Sequence, residues 1–104
     1  MKIQINSDNN TKGAEELRAS LTDLISEKLS RYSHQITRIE VHLSDENGQK
    51  DGLNDKRCML EARLEGRQPI AVTNEANSIE QAANGAIDKL KSSLIKISGR
   101  LRKH

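Results

Sequence analysis

Apolar and polar residues alternate along Lys2-Ile3-Gln4-Ile5-Asn6, the period of a strand with one buried face, which predicts a first strand over about 2–6. The polar stretch Ser7-Asp8-Asn9-Asn10 ends it. Thr11 then suits a helix cap, and Ala14, Leu17, Leu21, Leu24, Ile25, Leu29 and Tyr32 fall at helical spacing, with Glu15 and Glu16 favourable near the N-terminus. The first helix is expected over about 12–32. Ile39, Val41 and Leu43 alternate with Arg38, Glu40, His42 and Ser44, and Cys58, Leu60, Ala62 and Leu64 alternate with Met59, Glu61 and Arg63. Both runs read as half-buried strands.

Between them Asp45 to Lys56 carries two glycines, several acidic and amide side chains and no period, so it reads as an exposed connection, long for a hairpin. Gly66-Arg67 suits a tight turn with Gly first, after which Ile70 and Val72 supply a fourth strand beginning near Pro69, as an edge or a strand start. Ser78-Ile79-Glu80-Gln81 has the capping-box form. From Ile79 through Ala82, Ala83, Ala86, Ile87, Leu90, Leu94, Ile97 and Leu101 one apolar face continues, predicting a second helix over about 79–101. The order βαβββα implies an α+β, two-layer fold, a four-stranded sheet with both helices packed on one face. Residues 1–104 are expected to form a single domain, since 104 residues leave room for one modest core.

With no Phe or Trp, and Tyr32 the only aromatic, that core must be built from Leu, Ile, Val and Ala. No run approaches the roughly 18 apolar residues that span a bilayer, and the opening residues lack a signal peptide's apolar stretch, so no membrane association and a cytoplasmic location are expected. Cys58 is the only cysteine; it excludes an intrachain disulfide and falls on the buried phase of its strand, where a thiol is an inert small hydrophobe.

Charge changes the picture more. Residues 1–88 hold eleven basic and fifteen acidic side chains, whereas 89–104 hold six basic and no acidic ones, a polyanion-seeking end on a chain of net charge +2. Lys89, Lys96, Arg100 and Lys103 recur at helical spacing beside the apolar face, with Lys91 and Arg102 expected on the solvent side. Such a stripe can meet successive phosphates; the bland alternative is a solvated face whose cations suit a helix C-terminus. Arg18, Lys28 and Arg31 extend the patch if the two helices lie side by side. Lys56 and Arg57, entering the third strand, either touch a polyanion or a partner protein or balance Asp51 and Asp55. Six neutralised phosphates would give a log–log salt slope of about −4 to −5. One tyrosine offers no stacking platform for base readout.

Catalysis finds no foothold. His34, His42 and His104 are scattered with no zinc spacing around them. Asp45-Glu46-Asn47-Gly48 fails as a calcium loop because Lys50 and Lys56 stand where Gly and Glu are required. There is no nucleophile elbow, P-loop or dinucleotide-binding glycine motif, so no enzyme activity, cofactor, metal or small-molecule substrate is expected.

The stretch from Ala82 to Lys96 resembles the C-terminal helix of the ribosome hibernation-promoting factors, the sigma-54 modulation family, with Ala82, Ala86, Asp88, Lys89, Leu90, Leu94 and Lys96 matching its pattern. Glu27-Lys28-Leu29-Ser30-Arg31-Tyr32 and the opening Met1-Lys2-Ile3-Gln4-Ile5 are similar to its first helix and first strand. Asn47-Gly48-Gln49-Lys50-Asp51-Gly52-Leu53-Asn54-Asp55-Lys56-Arg57-Cys58 resembles a subgroup motif. The resemblance implies a fold related to double-stranded-RNA-binding domains. It also implies binding to the small ribosomal subunit and its 16S rRNA, in the channel of messenger and transfer RNA, which would hold idle bacterial ribosomes out of translation under stress or in stationary phase. It departs at Ser92, where the family usually has Arg, at Ile95, where a polar residue is common, and at Asn84-Gly85, where Gly costs about 1 kcal/mol against Ala in a helix.

The long members carry a C-terminal dimerisation domain with no counterpart in this sequence. Ribosome pairing driven by it is not expected, and off the ribosome a monomer is. Two other readings are a general binder of structured RNA, with similar affinity for free duplexes, and a protein-interaction module using the sheet's open face, where Met59, Glu61 and Arg63 would matter most.

Overall fold

The computed structural model describes residues 1–7, 14–45 and 55–102. In chain order these form β1 (Lys2–Ser7), α1 (Ala14–Lys28), a short 3-10 turn (Ser30–Tyr32), β2 (Ile36–Asp45), β3 (Lys56–Leu64), β4 (Ile70–Ala76) and α2 (Ile79–Arg102). The sheet runs β1-β2-β3-β4. β1 and β2 are parallel, with α1 in the connection between them, and the other two pairs are antiparallel. The four-stranded mixed sheet with two helices is the α+β arrangement that the periodicity implies. The Thr11 cap and most of the 45–56 connection lie outside the described residues.

The buried residues make one cluster. Ile5, Ile39, Val41, Leu43, Cys58, Leu60, Ala62 and Leu64 face Leu21, Ile25, Leu29 and Tyr32 from the first helical segment and Ala82, Ala83, Ala86, Ile87, Leu90 and Leu94 from α2. Small residues at 82, 83 and 86 let the second helix sit close to the sheet. The alternation on β2 breaks at its start. Between the pairs Ile36↔Leu64 and Arg38↔Arg63 the register shifts by one, and Thr37 Oγ1 donates to the Arg63 carbonyl at 3.0 Å. That extra residue inverts the strand's parity, so Ile36 and Ile39, three apart, are both buried.

The structure refines three of these readings. The first helix stops at Lys28 rather than 32. Leu29 N–H still donates to the Ile25 carbonyl, after which Tyr32 N–H closes a tighter turn on Leu29 O at 2.9 Å. Three residues per turn carry Tyr32 to the side of Leu29, and both are buried. In the β3–β4 connection Arg67 N–H donates to the Leu64 carbonyl at 3.4 Å, so the central pair is Glu65-Gly66, with Gly second rather than first. Gly66 has φ of 70°, which L side chains rarely adopt. β4 also continues to Ala76, beyond the two apolar residues that announce it.

The Ser78 cap is present. Gln81 N–H donates to Ser78 Oγ at 3.1 Å, and Ala82 N–H to the Ser78 carbonyl at 2.9 Å. Twenty-four residues make α2 about 36 Å long, in a molecule whose longest extent is 51 Å.

Candidate nucleic-acid interface

The described cations of α2 fall on two flanks of the helix. Lys28, at the last turn of α1, and Arg31, in the 3-10 turn, line a groove whose opposite wall is Lys91 and Ile95 of α2. Tyr32 and Ser30 also line it, Glu27 is its one acidic lining residue among the described residues, and its volume is about 370 Å³. Lys91 is half-buried there, so the solvent-side position expected for it is corrected: it faces the first helix. The reason is rotational. At about 100° per residue, Lys89 and Lys91 lie on opposite flanks of the buried face.

Lys89 points the other way. Its Nζ donates to the Thr73 carbonyl of the edge strand β4 at 2.7 Å. Lys96 is exposed. The side chains of Arg100 and Arg102, and all of Lys103, lie outside the described residues, although α2 runs on to Arg102.

Arg18 does not join Lys28 and Arg31. Ten residues earlier on α1, it lines a separate cleft with Lys2, Gln4, Thr22 and Arg38 at the β1 edge of the sheet. Lys2 and Arg38 are cations that the helix-based reading passes over. Their signal was the polar phase of two strands, which becomes informative only once the parallel register sets Lys2 beside Arg38.

Lys56 is held by acidic neighbours. Its Nζ lies 3.1 Å from both Asp45 Oδ2 and Asp55 Oδ2, two carboxylates that are almost wholly buried. The Asp55 and Asp45 hydrogen bonds raise its pKa above the usual lysine value. Of the two readings offered for Lys56 the geometry supports charge balance, with Asp45 and Asp55 as its partners; Asp51 lies outside the described residues. Arg57, next along β3, is exposed and stands opposite Ser44 and Glu75 in the sheet.

The open sheet face is charge-balanced. Glu40 Oε1 and Oε2 lie 3.3 Å and 3.9 Å from Arg38 and Arg63, Arg63 also lies 3.6 Å from Glu61, and Arg38 donates to Gln4 Oε1. Cys58 is fully buried, and burial pushes its thiol up to about 12. Among the described residues no group of three His, Cys, Asp or Glu side chains could hold a metal, and no helix is long and apolar enough to cross a membrane.

A two-layer α+β domain with cations on its helical side is one class of protein; comparison narrows it. Residues 3–102 match the pattern of the Sigma 54 modulation protein / S30EA ribosomal protein family, and the chain belongs to that family of ribosome-associated modulation proteins. No curated protein matches it. Among solved structures it is similar to a ribosomal subunit interface protein from Coxiella burnetii, at 19% identity and a TM-score of 0.66, covering 95% of this chain and 99% of that one. It is also similar to the N-terminal domain of Protein Y from Thermus thermophilus, at 21% identity and a TM-score of 0.71, covering 93% and 99%. At these identities the structures bear on the fold, which they share.

Proposed function

We propose that this protein is a non-catalytic translation inhibitor that binds the small ribosomal subunit through 16S rRNA phosphates and occupies the channel of messenger and transfer RNA during stress or stationary phase. The carrying observation is the groove in which Lys28, Arg31 and Lys91 converge from two helices against one carboxylate. Family membership supplies the ribosome, and the groove supplies chemistry suited to a phosphodiester backbone, namely one guanidinium and two ammonium groups. Exposed Ile95 at its rim adds an apolar contact for a ribose or a ribosomal protein. Lys96 and Arg57 are proposed as outlying contacts, together with Arg100, Arg102 and Lys103 on the distal part of the chain; Lys56 is not.

Co-sedimentation with purified ribosomes and separated subunits across a salt series tests this, comparing the natural chain with a Lys28→Gln, Arg31→Gln, Lys91→Gln variant. Salt-sensitive binding to small subunits, lost in a variant that melts normally, is the expected result. Equal affinity for free RNA duplexes would point instead to a general structured-RNA binder. No ribosome binding at all would overturn the reading.

A further inference from the structure

The groove between α1 and α2 holds one residue that phosphate binding alone does not explain. Glu27, next to last in α1, lines it beside Lys28, Ser30, Arg31 and Lys91. A carboxylate in the last turn of a helix opposes the helix dipole, and in a groove that receives phosphates it repels them. The ordinary compensation is a salt bridge. In an uninterrupted helix Glu27 and Arg31, four apart, would share a face and pair. Here the α-helix stops at Lys28 and the chain tightens into the turn Ser30–Tyr32, which carries Arg31 away from that position. Among the described residues the exposed Glu27 carboxylate forms no ion pair and no hydrogen bond, although three cations line the same groove.

An ionised carboxylate can only accept hydrogen bonds. Along an RNA backbone the ribose 2′-hydroxyl is the donor beside every phosphate, whereas base amino groups change with sequence. Tyr32, the only aromatic residue, is buried rather than offered to a base for stacking. Exposed Ile95 on the α2 wall gives the sugar carbons an apolar surface.

We infer that Glu27 reads the ribose, accepting a hydrogen bond from an RNA 2′-hydroxyl while Lys28, Arg31 and Lys91 hold the adjoining phosphates. This rests on the reading of the groove as an RNA site. The carboxylate repels any phosphodiester strand, and only a strand carrying the hydroxyl proton offsets that repulsion. Selection for RNA therefore has a repulsive part and an attractive part, and it operates in any sequence.

The test uses Glu27→Met, which keeps the length of the side chain without its charge or carboxylate oxygens. Binding to purified small subunits is measured beside binding, at low salt, to a short RNA duplex and to the same duplex with 2′-fluoro riboses, which keep the A-form sugar pucker but cannot donate. The natural chain is expected to prefer the hydroxyl duplex by roughly three- to thirty-fold, the range of one hydrogen bond to a charged group less its residual repulsion. Glu27→Met should bind both duplexes alike and bind small subunits more weakly, with a melting temperature unchanged or slightly raised because an unfavourable charge leaves the helix end. A carboxylate that merely repels phosphate gives the opposite sign: Glu27→Met then binds small subunits more tightly, and the inference is overturned. Equal binding of the two duplexes by the natural chain, or of neither, overturns it as well, and the proposed function stands if small subunits are still bound through the groove cations. A ribose preference that Glu27→Met abolishes, in a chain that does not bind small subunits, supports the inference and removes the proposed function.

Discussion

Asn74 of β4 occupies the space that a side chain at Gly85 of α2 would need. A Cβ built on Gly85 would lie 2.6 Å from the Asn74 Cγ, while the Asn74 amide donates to the Ala82 carbonyl of the same helix at 3.3 Å. The glycine that weakens α2 as an isolated helix is therefore what admits the asparagine that ties this helix to the sheet edge.

Gly85→Ala should accordingly destabilise the protein by about 1–3 kcal/mol, the usual cost of overpacking, although alanine is the better helix former. In an Asn74→Ala background the same substitution should stabilise by roughly 0.5–1 kcal/mol, because only helix propensity remains. Urea denaturation of the four proteins in the cycle checks this. A destabilising Gly85→Ala in both backgrounds would place the cause elsewhere.

Much of the fold can be read from period alone. Ile3 and Ile5, Ile39 to Leu43, and Cys58 to Leu64 alternate as strands do, and α2 keeps one apolar face from Ile79 to Leu94. Ile36 escapes that reading because Thr37 inverts the parity, and the end of α1 escapes it because a 3-10 turn keeps Leu29 and Tyr32 buried much as a continued helix would. The cations are harder. A list of basic positions places Lys89 and Lys91 on one helix, but only packing decides that one meets β4 and the other meets α1. Lys2 and Arg38 gain meaning only through a pairing of residues far apart in sequence.

Lys56 closes the two strand ends that flank residues 46–54, bridging Asp45 and Asp55. Its raised pKa means that its contribution to stability is complete below the unfolded lysine value, near 10.4, and is lost as pH rises through the higher folded value. Lys56→Met should lower the melting temperature at neutral pH, since two buried carboxylates lose their cation. The gap between the two proteins should narrow above about pH 10.5. Thermal melts across that range decide it, and Asp45→Asn in the Lys56→Met background should recover part of the loss.

Cys58 gives a second alkaline effect of different origin. With its thiol raised by burial to about 12, against an unfolded value near 8.5, the folded state holds a proton that the unfolded state releases. That stabilisation is complete below the unfolded value and is lost as pH rises towards the folded one. A thiol reagent at about pH 8 should leave the native protein unlabelled and react fully in urea. Cys58→Ala should show a shallower alkaline decline in stability than the natural chain.

The division of cations across α2 predicts that neighbouring lysines contribute unequally to ribosome binding. Lys89 and Lys91 carry the same charge two residues apart, so a mechanism that depended only on the charge of the helix would weigh them alike. Geometry separates them: Lys89 Nζ is held by the Thr73 carbonyl on the edge strand, whereas Lys91 stands in the groove with Lys28 and Arg31. A phosphate in that groove is close to Lys91 and has the body of α2 between it and Lys89. Lys91→Gln should therefore flatten the log–log salt slope by about 0.7–0.9, the value of one phosphate contact, while Lys89→Gln should change it by less than half as much. Losing the ammonium that covers the Thr73 carbonyl should instead leave the β4 edge more open to strand pairing and promote self-association of the Lys89→Gln protein at high concentration. Small-subunit binding across a salt series, paired with sedimentation of the free proteins, measures both effects. Equal slopes for the two variants would mean that RNA lies across the β4 flank of α2 rather than along α1.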